Sequence, residues 1–437
     1  MQRNLVPGVV VAIQHGDTEV IAPFGVTNIE QPLSVDEGTL FQIGSTTKTV
    51  TGTVMMRLVE QGKIDLDAPV RAYLPAFRVA DEATAASVTV RHLMTHTAGW
   101  EGDFFVAPDL HRGEDALERI VEMLTDRPQL TPIGEVWAYN NAAFYVLGRI
   151  IEVITGSTYE TAARELVLDP LGMKSSFFFP EEVMTYRFAV GHSIENDEIR
   201  VSRPWHLPRS ANAAGGIVSS AADQLRYARF HMGDGTTDDG TRLLSGDSIA
   251  LMQTPYATAD NGSSIGLTWF IKDVGGVRTV SHGGTINGQY SEFLMAPEQR
   301  FAITVFTNGG HRHALGYEIV AWALREYLGI EDEQPVPLDL PEAEFAPYLG
   351  CYQGTSSYIE LAYDDDGLMI RMVPTQAPPG QQDIPPAEPA IRAAIIGADR
   401  LMILDPPLKN VQGEFLRGAD GDIAWMRLSK RIFALRR

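Results

Sequence analysis

The sequence is poor in cysteine, with one residue, Cys351, in a chain of 437. A single cysteine cannot close an intrachain disulfide and offers no cysteine cluster to a metal ion. Long hydrophobic runs are missing too, because the longest apolar stretches, such as Val9 to Ile13, have the length of a strand. A membrane helix needs roughly 20 apolar residues, so we expect no membrane span.

Positive charge is also scarce. Lysine and arginine together number 35 against 56 acidic residues, which gives a net charge of −21. Contacts with phosphate backbones or anionic membranes need clustered basic residues, so we expect no nucleic-acid partner. The first residues lack the apolar segment of a secretory signal. This predicts a cytoplasmic protein, or an exported one whose signal has been removed.

The remaining composition, with 44% hydrophobic and 21% charged residues, is typical of a soluble globular protein, and the length predicts two or three domains. β-Branched residues predict a hairpin over 8–33, and short strand patterns return between 267 and 306. Helical periodicity and long loops fill about 65–205. This order predicts an α+β fold, with an antiparallel sheet flanked by helices and an all-helical subdomain.

A second unit follows this α+β part. Residues 331–345 are acidic and rich in proline, as linkers are. Beyond them, 346–437 contains short strand patterns separated by turns. We therefore expect a first unit over 1–330, a linker, and a C-terminal antiparallel β-barrel.

The candidate nucleophile is Ser45, which is followed three residues later by Lys48 in an apolar helical pattern that ends at Gly62. Side chains at i and i+3 share a helix face, so we expect the Lys48 amine beside the Ser45 hydroxyl, in an amphipathic helix that begins at Ser45. Burial would lower the pKa of Lys48 and make it a proton acceptor near neutral pH. Two fixed residues are a weak signal, and a serine and a lysine with no shared chemistry are the alternative.

Two further segments carry side chains that could complete such a site. Tyr139 can act as a general base, and Asn141, placed as the N-cap of a helix, can position a substrate carbonyl. The run 281–285, Ser-His-Gly-Gly-Thr, ends a strand where small residues let backbone N–H groups approach a substrate. Each segment also has a structural explanation, as an aromatic anchor at a helix start or as a feature of a hairpin.

Together, Ser45-Thr46-Thr47-Lys48, Tyr139-Asn140-Asn141 and His282-Gly283-Gly284 resemble the three motifs of the serine β-lactamase and penicillin-binding-protein superfamily. The chain is most similar to the class C-like branch of esterases and D-aminopeptidases, over about 7–330. Its tail resembles the lipocalin-like barrel of some D-aminopeptidase-type members. The resemblance implies a β-lactamase-like catalytic domain over 1–330, with its helical subdomain at about 65–205, and a lipocalin-like domain over 346–437.

The resemblance also implies catalytic roles. Ser45 Oγ would attack a carbonyl carbon and form an acyl-enzyme, while Lys48 and Tyr139 would share proton transfer. Asn141 would orient the substrate. The chemistry requires neither a metal ion nor a cofactor.

The substrate-binding residues that the resemblance implies are Asn141, His282, Gly283, Gly284 and Thr285. The backbone N–H groups of Ser45 and Thr285 would form the oxyanion hole. His282 departs from the β-lactamase pattern, which usually has lysine at that place. Without a permanent cation there, the site disfavours β-lactams and D-Ala-D-Ala peptides and favours neutral esters or amides.

These residues predict a serine hydrolase that acts on carboxylic esters. A D-aminopeptidase, an amidase or a weak β-lactamase is the alternative. An acyltransferase would have identical motifs, and a non-catalytic penicillin-binding-type sensor would keep the fold but lose the nucleophile or the base. The expected partner is a small ester or amide, and the sequence leaves the oligomeric state open.

Four other histidines give weaker evidence of a functional role. His92 and His96 are spaced for a metal site on one helix face, but the glutamate of a His-Glu-x-x-His motif is missing, so structural roles are predicted. The run 311–313, His-Arg-His, is predicted to be a solvated loop, with the rim of the cleft as the alternative.

Overall fold

The computed structural model describes residues 1–103, 112–195, 198–365, 367–377, 383–406 and 408–436. The strands in chain order are β1 (Gly8–His15), β2 (Thr18–Gly25), β3 (Phe41–Gln42), β4 (Ser176–Phe177), β5 (His192–Glu195), β6 (Glu198–Val201), β7 (Val218–Ser219), β8 (Ala257–Thr258), β9 (Ser264–Ile265), β10 (Phe270–Val274), β11 (Val277–Ile286), β12 (Gln289–Ala296), β13 (Phe301–Thr307), β14 (Gly350–Gln353), β15 (Ser357–Asp364), β16 (Gly367–Pro374), β17 (Ile391–Gly397), β18 (Arg400–Ile403), β19 (Gln412–Arg417), β20 (Ile423–Leu428) and β21 (Arg431–Arg436). The α-helices are α1 (Thr47–Glu60), α2 (Glu82–Ser87), α3 (Val90–Met94), α4 (Ala116–Glu122), α5 (Asn141–Thr155), α6 (Tyr159–Ala163), α7 (Pro180–Val183), α8 (Asn212–Gly215), α9 (Ala221–Met232), α10 (Gly246–Met252) and α11 (Ala314–Ala323).

An eight-stranded antiparallel sheet forms the first layer, in the order β2-β1-β13-β12-β11-β10-β9-β8. The N-terminal hairpin pairs with the last strand of this unit, because β1 aligns Val9 with Thr307 and His15 with Phe301. The predicted α+β fold with its antiparallel sheet is confirmed. Helix α9 packs against β1 and β13 on one face, and α11 covers the other face.

Helix α1 is buried on most of its surface, although its sequence predicts a single buried face. Thr49, Thr51 and Thr53 are each 0% exposed. Their hydroxyls find partners inside the protein, since Thr51 donates to the carbonyl of Ala213 at 2.7 Å and Thr53 lies 2.8 Å from the Tyr227 hydroxyl. The prediction that α1 is amphipathic is therefore wrong. Buried, hydrogen-bonded threonines occupy the face that was expected to be polar and exposed to solvent.

The region 65–205 is mainly helical, but it also contains the hairpin β5–β6 and the short strand β4. The prediction of an all-helical subdomain therefore needs this correction. The start of α5 differs by one residue from the prediction. Asn140, and not Asn141, is the N-cap, and its side chain accepts the Ala143 N–H at 2.8 Å.

Strands β14 to β21 close into an eight-stranded barrel, which confirms the predicted C-terminal barrel. Apolar side chains fill its interior, among them Tyr352, Leu401 and Met426. The acidic segment before the barrel packs on it, because the Leu338 N–H donates to the Ile395 carbonyl at 2.8 Å. We propose that 331–345 links two domains, since the barrel core and the core around α1 consist of different residues.

The helices within the described ranges include none that is long and apolar enough to cross a membrane.

Candidate active site

Ser45 lies in a 3₁₀ turn, Gly44–Thr46, that leads directly into α1. Helix α1 begins at Thr47, two residues after the predicted start, and its N-terminal dipole faces the serine. Gly44 has a φ of 52°, and a Cβ atom there would lie 2.9 Å from the Thr285 nitrogen. Glycine therefore lets the turn that carries Ser45 approach strand β11 closely.

Lys48 is fully buried one helical turn beyond Ser45. Its Nζ lies 3.2 Å from Ser45 Oγ and 2.6 Å from the Ala214 carbonyl oxygen. Burial lowers the pKa of Lys48 well below 10.5, Arg431 lowers it further, and Asp103 opposes both. A neutral amine that donates to Ala214 keeps its lone pair for the proton of Ser45.

Lys48→Met should stabilise the protein, and more so at about pH 7 than at about pH 10. The unfolded chain protonates this amine below its ordinary pKa of 10.5, whereas the lowered pKa keeps it neutral in the fold. Folding therefore releases a proton between the two pKa values, and the stability of the native protein decreases as the pH falls through that window. Thermal unfolding of both proteins should show a gain in Tm of about 2 to 4 °C near neutral pH that shrinks at alkaline pH.

The matched control for this change is Lys63→Met, since Lys63 is exposed. Its effect on Tm should be small and independent of pH. A stabilisation by Lys48→Met that is equal at both pH values would contradict the assignment of a neutral buried amine.

Tyr139 lies beside Lys48, with Nζ 5.1 Å from the centroid of the phenol ring. Burial raises the pKa of the Tyr139 hydroxyl, while Ser45 and Arg431 partly offset the rise. The hydroxyl makes no hydrogen bond of ordinary geometry within the part of the chain that the structure describes. At neutral pH this phenol is therefore protonated.

His96 belongs to the site, although only a structural role was predicted for it. Its Nδ1 accepts the Asn140 N–H at 3.0 Å, and its ring stacks on Tyr139 with centroids 4.4 Å apart. Burial lowers the pKa of His96 well below its ordinary value, so the ring is neutral. His92 instead caps α3, where its Nδ1 lies 3.2 Å from the Thr89 nitrogen. The two imidazoles thus have separate partners.

His282 is buried on β11 and is held as the neutral tautomer that carries its proton on Nδ1. That proton is donated to the Gly283 carbonyl at 2.7 Å. Burial, together with Lys48 and Lys430, lowers the pKa of His282 to about 3. Nε2 therefore keeps a lone pair, and it has no hydrogen-bond partner among the described residues. His282 can accept a hydrogen bond from a substrate but cannot act as its cation.

The two glycines of the third motif have different tasks. A Cβ atom on Gly284 would lie 1.9 Å from the Ile43 carbonyl oxygen, so only glycine lets β11 contact the turn that carries Ser45. A Cβ atom on Gly283 would point to Glu292, with Oε2 at 3.3 Å. Because neighbouring residues of a strand face opposite sides, Gly284 admits the turn and Gly283 makes room on the other face.

Asn141 is tied to the barrel through an acidic residue. Its Nδ2 donates to Asp103 Oδ1 at 3.0 Å, and the Asp103 carboxylate receives two hydrogen bonds from Arg431, one of them 2.8 Å long. The Arg431 guanidinium also lies 5.1 Å from the centroid of the Tyr139 ring. The second motif is therefore positioned by a side chain from the C-terminal strand β21.

The turn between β20 and β21 brings a second cation to the site. Ser429 and Lys430 form this turn with φ values of 49° and 69°. The Lys430 carbonyl accepts the Tyr139 N–H at 3.0 Å. The Nζ atom of Lys430 lies 4.1 Å from the centroid of the Phe270 ring. On the same strands, Arg427 donates to the Trp137 carbonyl at 3.0 Å. The barrel therefore contacts the segment that carries Tyr139 through these hydrogen bonds.

Sequence reasoning missed three residues of this arrangement, namely Asp103, Lys430 and Arg431, and it predicted only a structural role for His96. The scarcity of lysine makes Lys430 conspicuous, yet nothing in the local pattern of a β-turn connects it with a motif about 290 residues earlier. Asp103 has no motif around it. The predicted residues Ser45, Lys48, Tyr139 and Thr285 do come together.

Comparison with known proteins agrees with this geometry. The family model described as Beta-lactamase matches residues 1–324. Penicillin-binding protein 4 of Amycolatopsis lactamdurans is 35% identical over 363 residues, which cover 80% of this chain and 93% of that protein. The unguisins hydrolase ungD of Aspergillus violaceofuscus is 23% identical over 361 residues, which cover 76% of this chain and 63% of that protein.

Solved structures are similar to this chain over both units. The crystal structure of SurE superposes with a TM-score of 0.79 at 25% identity, and the match covers 100% of this chain and 96% of that one. The likeness therefore includes the C-terminal barrel as well as the sheet and helices. The chain belongs to the beta-lactamase family, and it is a hydrolytic enzyme of the serine type.

Proposed function

We propose that this hydrolase cleaves carboxylic esters with uncharged leaving groups, through an acyl-enzyme on Ser45. The observation that carries the proposal is the neutral state of His282, whose pKa is lowered to about 3 where a lysine would offer a cation. Arg431 does not replace that cation, because Asp103 occupies its guanidinium. A substrate carboxylate would thus lack a fixed counter-charge on strand β11.

The proposed reaction begins with the proton of Ser45, which Lys48 Nζ accepts across 3.2 Å. Ser45 Oγ then bonds to the carbonyl carbon, and the negative oxygen is held by the N–H groups of Ser45 and Thr285. As the bond to the leaving oxygen breaks, Tyr139 gives that oxygen its phenolic proton and regains one from the Lys48 ammonium. Water attacks the acyl-enzyme by the reverse sequence.

The directions of the two pKa shifts assign separate roles to Lys48 and Tyr139, which the sequence analysis left sharing proton transfer. The pKa of Lys48 is lowered and that of Tyr139 is raised, so the amine is the acceptor and the phenol is the donor at neutral pH. The two groups lie side by side, which lets one proton pass from Ser45 to the leaving group. This assignment rests on pairs of titratable groups whose environments drive their pKa values apart.

A second candidate is the hydrolysis of amides or peptides that carry an anionic group. Lys430 favours it, because its Nζ lies on the Phe270 ring near Tyr139 and forms no ion pair with an acidic side chain of the described residues. Two relatives of this chain are a penicillin-binding protein and an unguisins hydrolase. In this case the barrel would supply the cation that β11 lacks.

A comparison of kcat/KM on a p-nitrophenyl ester, a D-amino acid amide and a cephalosporin separates the two candidates. We expect the neutral ester to be preferred by on the order of 10²-fold or more. A site without a cation available to the substrate gains little binding energy from a substrate carboxylate. The decisive variant is Lys430→Met. It should leave the neutral ester within about twofold of the native rate.

Lys272→Met is the matched control, since Lys272 is paired with Asp332 away from the site. A native enzyme that prefers the cephalosporin or the amide, together with a selective rise in KM for the carboxylate-bearing substrate in Lys430→Met, would establish the second candidate and overturn the first.

A further inference from the structure

Helix α8 contacts the amine of Lys48 through a backbone carbonyl. Lys48 Nζ lies 2.6 Å from the Ala214 oxygen, and the neighbouring Ala213 carbonyl accepts the Thr51 hydroxyl of α1 at 2.7 Å. A carbonyl oxygen can only accept, so the amine must turn a hydrogen toward Ala214. The position of α8 therefore restricts the directions that remain for the lone pair of the Lys48 amine.

A buried ion pair fixes the start of this helix. Glu160 on α6 accepts two hydrogen bonds from Arg209, at 3.1 and 3.0 Å, and one from Asn212 Nδ2 at 2.8 Å. Asn212 is the first residue of α8 and is buried. A Cβ atom on Gly216 would lie 2.1 Å from Asn212 Oδ1, so glycine makes room for this amide. The Glu160 carboxylate thus connects α6 with α8.

The energy balance of such a pair favours a role in geometry. The side chains of Glu160 and Arg209 are only 7% and 13% exposed. The cost of taking two charges out of water offsets their attraction, so a buried pair contributes little net stability. A carboxylate that accepts three hydrogen bonds nevertheless has a well-defined position. Because Ala214 follows Asn212 within one helical turn, a shift of Asn212 also moves the Ala214 carbonyl.

The charges of the pair do not reach Lys48 directly. Among the described residues, the charges that act on the pKa of Lys48 are those of Arg431 and Asp103. The other titratable side chains around the amine are a phenol and two imidazoles, those of Tyr139, His96 and His282. An effect of Glu160 on Lys48 must therefore act through position.

We propose that Glu160 is a positioning residue for Lys48. Through Asn212 it holds helix α8, so that the Ala214 carbonyl directs the lone pair of the amine toward the Ser45 hydroxyl. The inference rests on the proposed acyl-enzyme, in which Lys48 accepts the proton of Ser45. The same carbonyl binds the ammonium more strongly than the neutral amine, because charge-assisted hydrogen bonds are the stronger ones. The network therefore directs the amine and also raises its basicity.

Asn212→Leu tests this role, because it removes the link to Glu160 and leaves the Glu160–Arg209 pair intact. We measure kcat/KM for a neutral p-nitrophenyl ester as a function of pH, with active sites counted by a fluorophosphonate. The plateau should fall about tenfold, since the amine no longer faces the serine. The acidic limb should move to lower pH by about one pH unit, because the ammonium loses a charge-assisted hydrogen bond.

Two paired substitutions separate position from charge. Glu160→Leu with Arg209→Met removes both charges together, so no buried charge is left unpaired. It should reproduce the fall and the shift, and adding Asn212→Leu should cause no further loss, because all three changes break one connection. Glu160→Gln with Arg209→Gln keeps an oxygen for Asn212 Nδ2 and should retain the native profile.

The matched control is Glu152→Gln. Glu152 is a similarly buried carboxylate, and its partners are Arg149 at 3.1 Å and the Tyr159 N–H at 3.4 Å. Removing its charge should lower Tm and leave the pH profile unchanged. A loss of folded enzyme lowers activity equally at every pH, so the position of the limb reports on Lys48 and not on stability.

A lower plateau with a limb at lower pH in Asn212→Leu and in Glu160→Leu with Arg209→Met supports the proposal. A limb in Asn212→Leu that stays in place or moves to higher pH overturns it. A shifted limb in Glu160→Gln with Arg209→Gln, or in Glu152→Gln, overturns it as well. A native enzyme that is never acylated at Ser45 overturns the proposed function and this inference together, whereas an acylated Ser45 with an unmoved limb in Asn212→Leu overturns the inference alone.

Discussion

Ser45→Ala should abolish turnover, with a fall in kcat on the order of 10⁴-fold or more. Every later step of the proposed reaction depends on a bond between Ser45 Oγ and the acyl carbon. Intact-protein mass spectrometry after exposure to a fluorophosphonate or to an ester should show the added mass on the native protein and none on the variant.

The fold should survive this change, because the hydroxyl is lost from a turn whose geometry is set by Gly44 and by the backbone of α1. Thermal unfolding of the variant should therefore stay close to that of the native protein. Ser281→Ala, on the strand that carries the third motif, is the matched control and should still be labelled. Labelling of Ser45→Ala at another serine would show that the nucleophile has been misassigned.

The three motifs were predictable because each carries its chemistry in adjacent residues. A serine and a lysine at i and i+3 share a helix face wherever the helix lies, and Lys48 Nζ is indeed 3.2 Å from Ser45 Oγ. Gly284 is explained by the same local logic, since a strand can approach the Ile43 carbonyl only without a side chain. The order of strand and helix patterns likewise predicted the α+β fold and the barrel.

The contribution of the barrel to the site could not be predicted from sequence. The sequence of the β-turn at Ser429 and Lys430 predicts an ordinary surface connection. Only the packing of the barrel brings this turn to the Tyr139 backbone. The burial of α1 could not be predicted from sequence for a related reason. Whether threonines such as Thr51 face water or pair inside the core depends on Ala213 and other residues far away in sequence.

The pair formed by Arg431 and Asp103 matters for the proposed reaction because its two charges act on the pKa of Lys48 in opposite directions. Arg431 lowers the pKa of Lys48, and Asp103 raises it. Breaking the pair from one side leaves the other charge unopposed beside the amine that accepts the proton of Ser45 in the proposed reaction. The direction of the resulting change in pKa is therefore fixed by which partner is removed.

Arg431→Gln should lower kcat/KM at about pH 7 by roughly tenfold to a hundredfold and move the acidic limb of its pH profile to higher pH. Removal of the guanidinium takes away an effect that lowers the pKa of Lys48, so the amine stays protonated, and unable to accept a proton, up to a higher pH. Asp103→Asn removes the opposing effect and should move the limb to lower pH. Arg417→Gln breaks a barrel ion pair with Asp399 away from the site and should leave the profile unchanged. Shifts of the same sign for Arg431→Gln and Asp103→Asn, or a shift in Arg417→Gln, would contradict electrostatic control of Lys48 by the barrel.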